Sequence, residues 1–260
     1  MYHPFSIIET LKLSGTILKK NFATLFVYSL ISLFVYGFLN IVSFILVAND
    51  GLTNEIILFF FQILIQSYLT LSFYKLVLTL MDKAYYEFEF KEIIPSFKMA
   101  FNFIVVILLY TILVATLFFI NTYFLARYEK FVPICQALEM ILLLFLLVRS
   151  IFCVCFIVDE DSKPIESLKQ SFDATKGNFF NTLFIGLIIL VIMVLTLVPF
   201  ISILSLLGPT KGNIDVLIKI SFYLWFVIAF PTVQVIIMVT YRKLVYSHLD
   251  VDDDDAAESL

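Results

Sequence analysis

"KPIESLKQSFDATKGNFFNT", residues 163–182, is a polar interruption in a chain that is otherwise apolar almost throughout. Read as a connector, it would only join two membrane segments. Read as a helix, it puts Ile165, Leu168, Phe172, Thr175 and Phe179 on one stripe, at the i, i+3, i+7 spacing of a helical face. Glu166, Lys169, Asp173 and Lys176 fall on the opposite side. Pro164 suits a helix first turn, and Gly177 can bend the chain before the next apolar run.

The stretch has a copy near the N-terminus. "IETLKLSGTILKKNF" (8–22) aligns without a gap on "IESLKQSFDATKGNF" (165–179), and Thr10 falls on Ser167. In the first copy Ile8, Leu11, Gly15, Leu18 and Phe22 form the stripe, and Glu9, Lys12, Thr16 and Lys19 lie opposite. "SIIE" (6–9) is a capping box. "IPSFKMAF" (94–101) is a fainter third copy, sharing Ile94, a hydroxyl, an aromatic and Lys98. Each copy precedes a pair of apolar runs. The chain therefore reads as three pseudo-repeats, each an amphipathic helix followed by two membrane helices. The expected amphipathic helices, at about 6–20, 91–100 and 164–177, have the pattern of helices lying in a membrane interface.

Composition supplies the solvent. Of 260 residues, 62% are hydrophobic and 15% charged, against about half and a quarter in soluble domains. Such a surface needs lipid around it. Six apolar runs, at about 22–48, 56–81, 101–125, 133–157, 179–206 and 215–240, are long enough to cross a bilayer as helices. They lack the alternation of barrel strands, so the fold class is all-α and polytopic. Pro199 and Pro231 fall inside the last two runs and should kink them.

Basic residues orient the bundle. Lys12, Lys19, Lys20, Lys83, Lys91, Lys98, Lys163, Lys169, Lys176, Arg242 and Lys243 fall on one side. Arg127, Lys130 and Lys211 fall on the other. The first side is expected to be cytoplasmic, with both termini, and all three amphipathic copies share it. The end, "LDVDDDDAAESL" (249–260), reads as a disordered acidic tail. "MYHPFSIIET" lacks the basic-then-apolar pattern of a signal peptide. Cys135, Cys153 and Cys155 lie in apolar runs and read as small hydrophobes, not as a disulfide framework.

Ionisable residues inside the runs are the candidate site, because charge in lipid is costly. Lys75 can snorkel, and Lys219 lies one helical turn after Asp215. Arg149 lies about 13 Å inside the cytoplasmic boundary. It is expected to reach carbonyls freed near Pro231 or the acidic turn at Asp159–Asp161. Glu139 is about 15 Å from it along a straight helix and cannot be its direct partner. Gln62 and Gln66 share a face of the second run and read as interhelical hydrogen-bonding residues. So the candidate intramembrane polar site is Arg149, Glu139, Gln62 and Gln66. Both histidines, His3 and His248, lie outside the runs, so no intramembrane haem or histidine-ligated metal is expected. There is no phosphate loop of the GxxxxGK[ST] type.

Arg149, followed by "VDEDSKPIESLKQSFDATKGNFF" (158–180), resembles the membrane-domain family of bacterial glycerophosphodiester phosphodiesterases and its polytopic relatives. In that family an intramembrane Arg precedes an acidic turn, a short amphipathic helix with small and Ser residues, then Gly and an aromatic. The matching positions are Arg149, Glu160, Ser167, Ser171, Gly177 and Phe179. "YRKLV" (241–245) is similar to the family's ending after its last span. The resemblance implies the membrane module alone, since the family's catalysis belongs to a separate soluble barrel domain with no counterpart in this sequence.

Three functional classes follow as expectations. The first is a non-enzymatic scaffold or auxiliary subunit of a bacterial inner membrane, without catalytic residues, metal or cofactor. Its partners would be the bilayer and other membrane proteins, not nucleic acid. The second is a transporter of a small solute or lipid, although same-orientation repeats differ from the usual inverted ones. The third is a lipid-modifying enzyme using Glu139 or a metal at "DEDS" (159–162).

Overall fold

Backbone groups in apolar runs must bond to one another, and helices do this locally. The computed structural model describes residues 5–47, 52–82, 89–123, 132–207 and 214–257. In chain order the helices are α1 (Ile7–Lys20), α2 (Phe22–Val47), α3 (Leu52–Asp82), α4 (Phe97–Tyr123), α5 (Val132–Ser150), α6 (Cys153–Glu160), α7 (Pro164–Thr175), α8 (Phe179–Leu207) and α9 (Ile214–Ala257). No strand occurs among the described residues. Six helical stretches are long and apolar enough to cross a membrane, and the protein is an all-α, multi-pass membrane protein.

The starts of α2 and α8 coincide with the expected boundaries, Phe22 and Phe179. Pro199 and Pro231 sit inside α8 and α9, as expected. Arg127, Lys130, Lys83, Lys211 and His3 lie outside the described residues, as does the end of the tail, 258–260.

Three expectations need correction. The run 133–157 is not one helix: α5 stops at Ser150, and α6 restarts at Cys153 behind Phe152 (φ −93°, ψ 0°). The middle amphipathic helix, expected at 91–100, is instead a 3₁₀ turn, Phe90–Ile93, followed directly by α4. Pro95 accounts for this, because it holds Ile94 extended at ψ 121°. The tail expected to be disordered from 249 continues α9 as helix to Ala257. No Gly or Pro lies between 232 and 257 to stop it.

α9 has 44 residues, about 66 Å at helical rise, roughly twice a bilayer core of about 30 Å. A large part of it therefore projects beyond the hydrocarbon. The buried core gathers at one end of the bundle. It comprises Leu71–Leu78 except Ser72 and Lys75 on α3, Cys155–Val158 on α6, Ala174 on α7, and Val235–Val239 with Tyr241 on α9. At the other end Phe34 and Phe38 on α2, Phe59–Phe61 on α3 and Phe118–Phe119 on α4 are exposed.

The repeat has a structural counterpart in how its units pack. α1 packs on α9, the 3₁₀ turn on α3, and α7 on α5 and α6. The polar lead element of each unit thus rests on the second span of the preceding unit. Because α1 rests on α9, the cycle closes.

Towards the protein, α1 and α7 turn small hydroxyl residues. Thr10 and Ser14 on α1, and Ser167 and Ser171 on α7, are at most 1% exposed. These are the same two positions in the two copies, and Asn21 and Asn178, also matched, are both buried. Ile8 and Ile165, which open the stripes, face outward at 67% and 76% exposure, and the matched Ile94 at 49%. Small hydroxyl residues let helices approach closely, so they take the protein side, while the stripes are split: Ile8, Phe22 and Ile165 face outward, Leu11, Leu18 and Leu168 pack partly on the core, and Thr175 is buried.

Candidate functional site at the α5–α6 break

A helix broken inside an apolar run leaves backbone groups that need partners. At this break one side chain supplies both. Ser171 on α7 donates its hydroxyl to the Arg149 carbonyl (2.7 Å) and accepts from the Phe152 N–H (3.2 Å). Cys153 Sγ, in the first turn of α6, lies 3.0 Å from Ser167 Oγ, and Ser167 also donates to the Pro164 carbonyl. These contacts hold α7 antiparallel against α6 and the end of α5.

Arg149 completes the junction from the last turn of α5. Its Nη1 donates to the Phe172 carbonyl (2.8 Å) and to Thr175 Oγ1 (3.1 Å). The guanidinium also lies over the rings of Phe145 and Phe172, 5.6 and 5.5 Å from their centroids. A cation near the C-terminus of α7 meets the negative end of that helix. Arg149 therefore reaches neither Pro231 nor the acidic turn, contrary to expectation. Because α5 ends one residue later, the side chain lies beside the last turn of α7.

The acidic turn disperses its three carboxylates. Asp159 accepts from the hydroxyls of Tyr241 and Tyr246 on α9, both at 2.8 Å. Glu160 accepts from Gln170 on α7 (2.6 Å). Asp161, in a left-handed C-cap at φ 52°, pairs with Lys98 on α4 (2.6 Å). Asp tolerates that conformation better than most residues. With side-chain exposures of 61% and 43%, the Lys98–Asp161 pair contributes under about 1 kcal/mol; its value is positional. Asn102 on α4 reinforces it by donating to the Ser162 carbonyl (3.1 Å). The turn is thus tied to α4, α7 and α9 together. Among the described residues no group of three His, Cys, Asp or Glu side chains is placed to hold a metal ion.

The remaining candidates are distributed, not gathered. Glu139 on α5 accepts from Asn121 on α4. Gln62 on α3 donates to Ser43 on α2 (3.0 Å). Gln66 helps line a cavity of about 320 Å³ between α2, α3 and α9, with Ser32, Tyr36, Tyr223, Trp225 and Phe226. Arg149, Glu139, Gln62 and Gln66 therefore do not form one site. Lys75 donates to the Ile94 carbonyl beside the 3₁₀ turn (3.0 Å), while the side chain of Lys219 lies outside the described residues. Of the motif residues, Ser167 and Ser171 are buried, Gly177 has φ 90°, and Phe179 packs on Phe145 at 5.5 Å.

Two features escaped sequence reasoning. The helix break carries neither Pro nor Gly, so nothing in "VRSIFCV" (148–154) announces it. The Tyr241–Asp159–Tyr246 clamp joins residues 82 and 87 positions apart, beyond any local pattern. Compared with protein-family models, curated proteins and solved structures, the chain matches none of them.

Proposed function

We propose that the chain is a non-enzymatic scaffold or auxiliary subunit of a bacterial cytoplasmic membrane, with both termini in the cytoplasm. It would correspond to the membrane module it resembles. One observation carries the reading: the charged groups at the break are engaged in joining helices. Arg149 fastens α5 to α7, Asp159 fastens α6 to α9, and Asp161 fastens α6 to α4. The junction supports a rigid platform facing the cytoplasm, flanked by the outward-facing Ile8 of α1 and Ile165 of α7. Crosslinking in native membranes followed by mass spectrometry tests this. Reproducible crosslinks from α1 and α7 to one set of membrane proteins are expected. A protein that remains an isolated monomer there, or that turns over a substrate alone after purification, would sink the proposal.

A second reading, transport of a small solute or lipid, draws on the aromatic cavity between α2, α3 and α9. Its size falls at the low end for ligand pockets. Flux in proteoliposomes, lost on Gln66→Leu, would favour it. Absence of flux across amino acids, sugars and fluorescent lipids would count against it.

A further inference from the structure

Two crevices, each with one lysine over apolar walls, share a common make-up. The first, of about 540 Å³, lies between α4, α5 and α7, with Leu109, Leu113, Leu146, Ile165 and Leu168 among its walls. Its one charged lining residue is Lys169. The second, of about 560 Å³, lies between α1, α2 and α9, walled by Leu18, Phe22, Phe26, Val227 and Ile228. Its one charged lining residue is Lys19. Among the described residues neither lysine makes a hydrogen bond or an ion pair, and both are exposed. No carboxylate lines either crevice. Each is formed where an amphipathic helix meets membrane-spanning helices, so the lysine stands near the bilayer surface and the apolar walls run inward.

We propose that each crevice holds one anionic phospholipid, its acyl chain along the apolar walls and its headgroup phosphate on Lys169 or Lys19. Charge selects the occupant. An ammonium above an apolar slot whose lining holds no carboxylate attracts a net negative headgroup more strongly than a zwitterionic one; Glu166 and Asp173, one turn either side of Lys169 on α7, lie outside that lining. The apolar walls separate a lipid from free phosphate, which has nothing to place there. The two lysines are not equivalent in the repeat, since Lys169 aligns with Lys12 and Lys19 with Lys176, so each crevice stands as its own case. The inference stands on the multi-pass membrane fold and not on the scaffold reading, so either can fail without the other.

Native mass spectrometry of the whole protein in a nonionic detergent tests it, using phosphatidylglycerol and phosphatidylcholine with identical acyl chains. The wild type is expected to retain two phosphatidylglycerol molecules, each about fivefold more tightly than phosphatidylcholine, as one lysine near a surface supplies. Lys169→Gln and Lys19→Gln should each remove the preference at one site, the double variant should remove it altogether, and Lys→Arg should preserve it. Both side chains are exposed, so these changes leave the fold intact. Leu113→Trp, which fills the first crevice with Lys169 in place, should weaken retention of both lipids at that site. Equal retention of the two lipids by the wild type would overturn the proposal, as would an unchanged preference in the double variant. Displacement of the bound lipid by millimolar inorganic phosphate, with Leu113→Trp silent, would also overturn it in favour of a bare anion site.

Discussion

Ser171→Ala isolates what the break in the fourth span requires. Removing the hydroxyl deletes two hydrogen bonds and leaves the Arg149 carbonyl and the Phe152 N–H without their partner, in a place where Ser171 and Phe152 are at most 1% exposed. A net hydrogen bond contributes about 1 kcal/mol, and an orphaned buried group costs about 1–3 kcal/mol. The expected loss is about 3 kcal/mol. Ser14→Ala is the internal control. Ser14 matches Ser171 in the repeat and is equally buried, but its hydroxyl only donates to Thr10 of its own helix (2.7 Å). α9, on which α1 rests, is unbroken, so Ser14 has no gap to bridge. Its loss should cost about 1 kcal/mol or less. The assay is equilibrium unfolding in mixed micelles followed by fluorescence of Trp225, the single tryptophan. Its indole N–H donates to Thr196 Oγ1 and the Met193 carbonyl on α8, so it reports when α8 and α9 separate. A difference between the two variants under about 0.5 kcal/mol, well below the two-bond deficit, would refute the bridging role.

Three further outcomes follow from the same junction. Arg149→Ala should lower unfolding stability by about 3 kcal/mol, combining charged hydrogen bonds with two aromatic faces; Arg149→Lys should recover part of it, and unchanged stability in both would indicate that Arg149 does not hold α7. Tyr241→Phe and Asp159→Ala should be coupled in a double-mutant cycle by at least about 0.5 kcal/mol, measured in the same micelles, with additivity as the contrary result. Gly177→Ala should cost about 1–2 kcal/mol from backbone strain alone, since φ is 90° and nothing lies within 4 Å of the added methyl; a neutral result by thermal unfolding would show that the turn relaxes freely.

The membrane architecture was legible because it rests on single-residue properties summed over long windows. Apolar runs specify spans wherever they occur, and Phe22 and Phe179 begin helices where the pattern places them. The amphipathic helices α1 and α7 were legible for the same reason, but the residues that hold them to the protein were not. An apolar stripe reads as the core face in a soluble protein, whereas beside lipid the outer surface is apolar too. Close approach then decides, and it favours Thr10, Ser14, Ser167 and Ser171 over Ile8 and Ile165. The site was less legible still. Arg149 was found because a charge in an apolar run is conspicuous, but its partners are carbonyl and hydroxyl groups 23 and 26 residues away. Backbone acceptors leave no trace in composition, so sequence identified the residue without its role.

Closure of the cycle connects these levels. The second spans of the first two units carry a cation that fastens the next unit's lead element: Lys75 on α3 donates to the Ile94 carbonyl, and Arg149 on α5 donates to the Phe172 carbonyl. Both are cations meeting backbone oxygen, which a membrane protein leaves unpaired only at substantial cost. Where α1 rests on α9, packing is joined by Asn181 of α8, which donates to the Phe5 carbonyl (3.3 Å). The three joins therefore differ in kind. Two are pinned by charge-assisted bonds, and the third couples the beginning of the chain to α8 and α9 by packing over a long helix. Charged hydrogen bonds are about twice as strong as neutral ones, so Lys75 and Arg149 give their joins direction as well as attraction. At the α5–α7 junction Ser171 and Arg149 act together, so that join resists opening by more than packing alone.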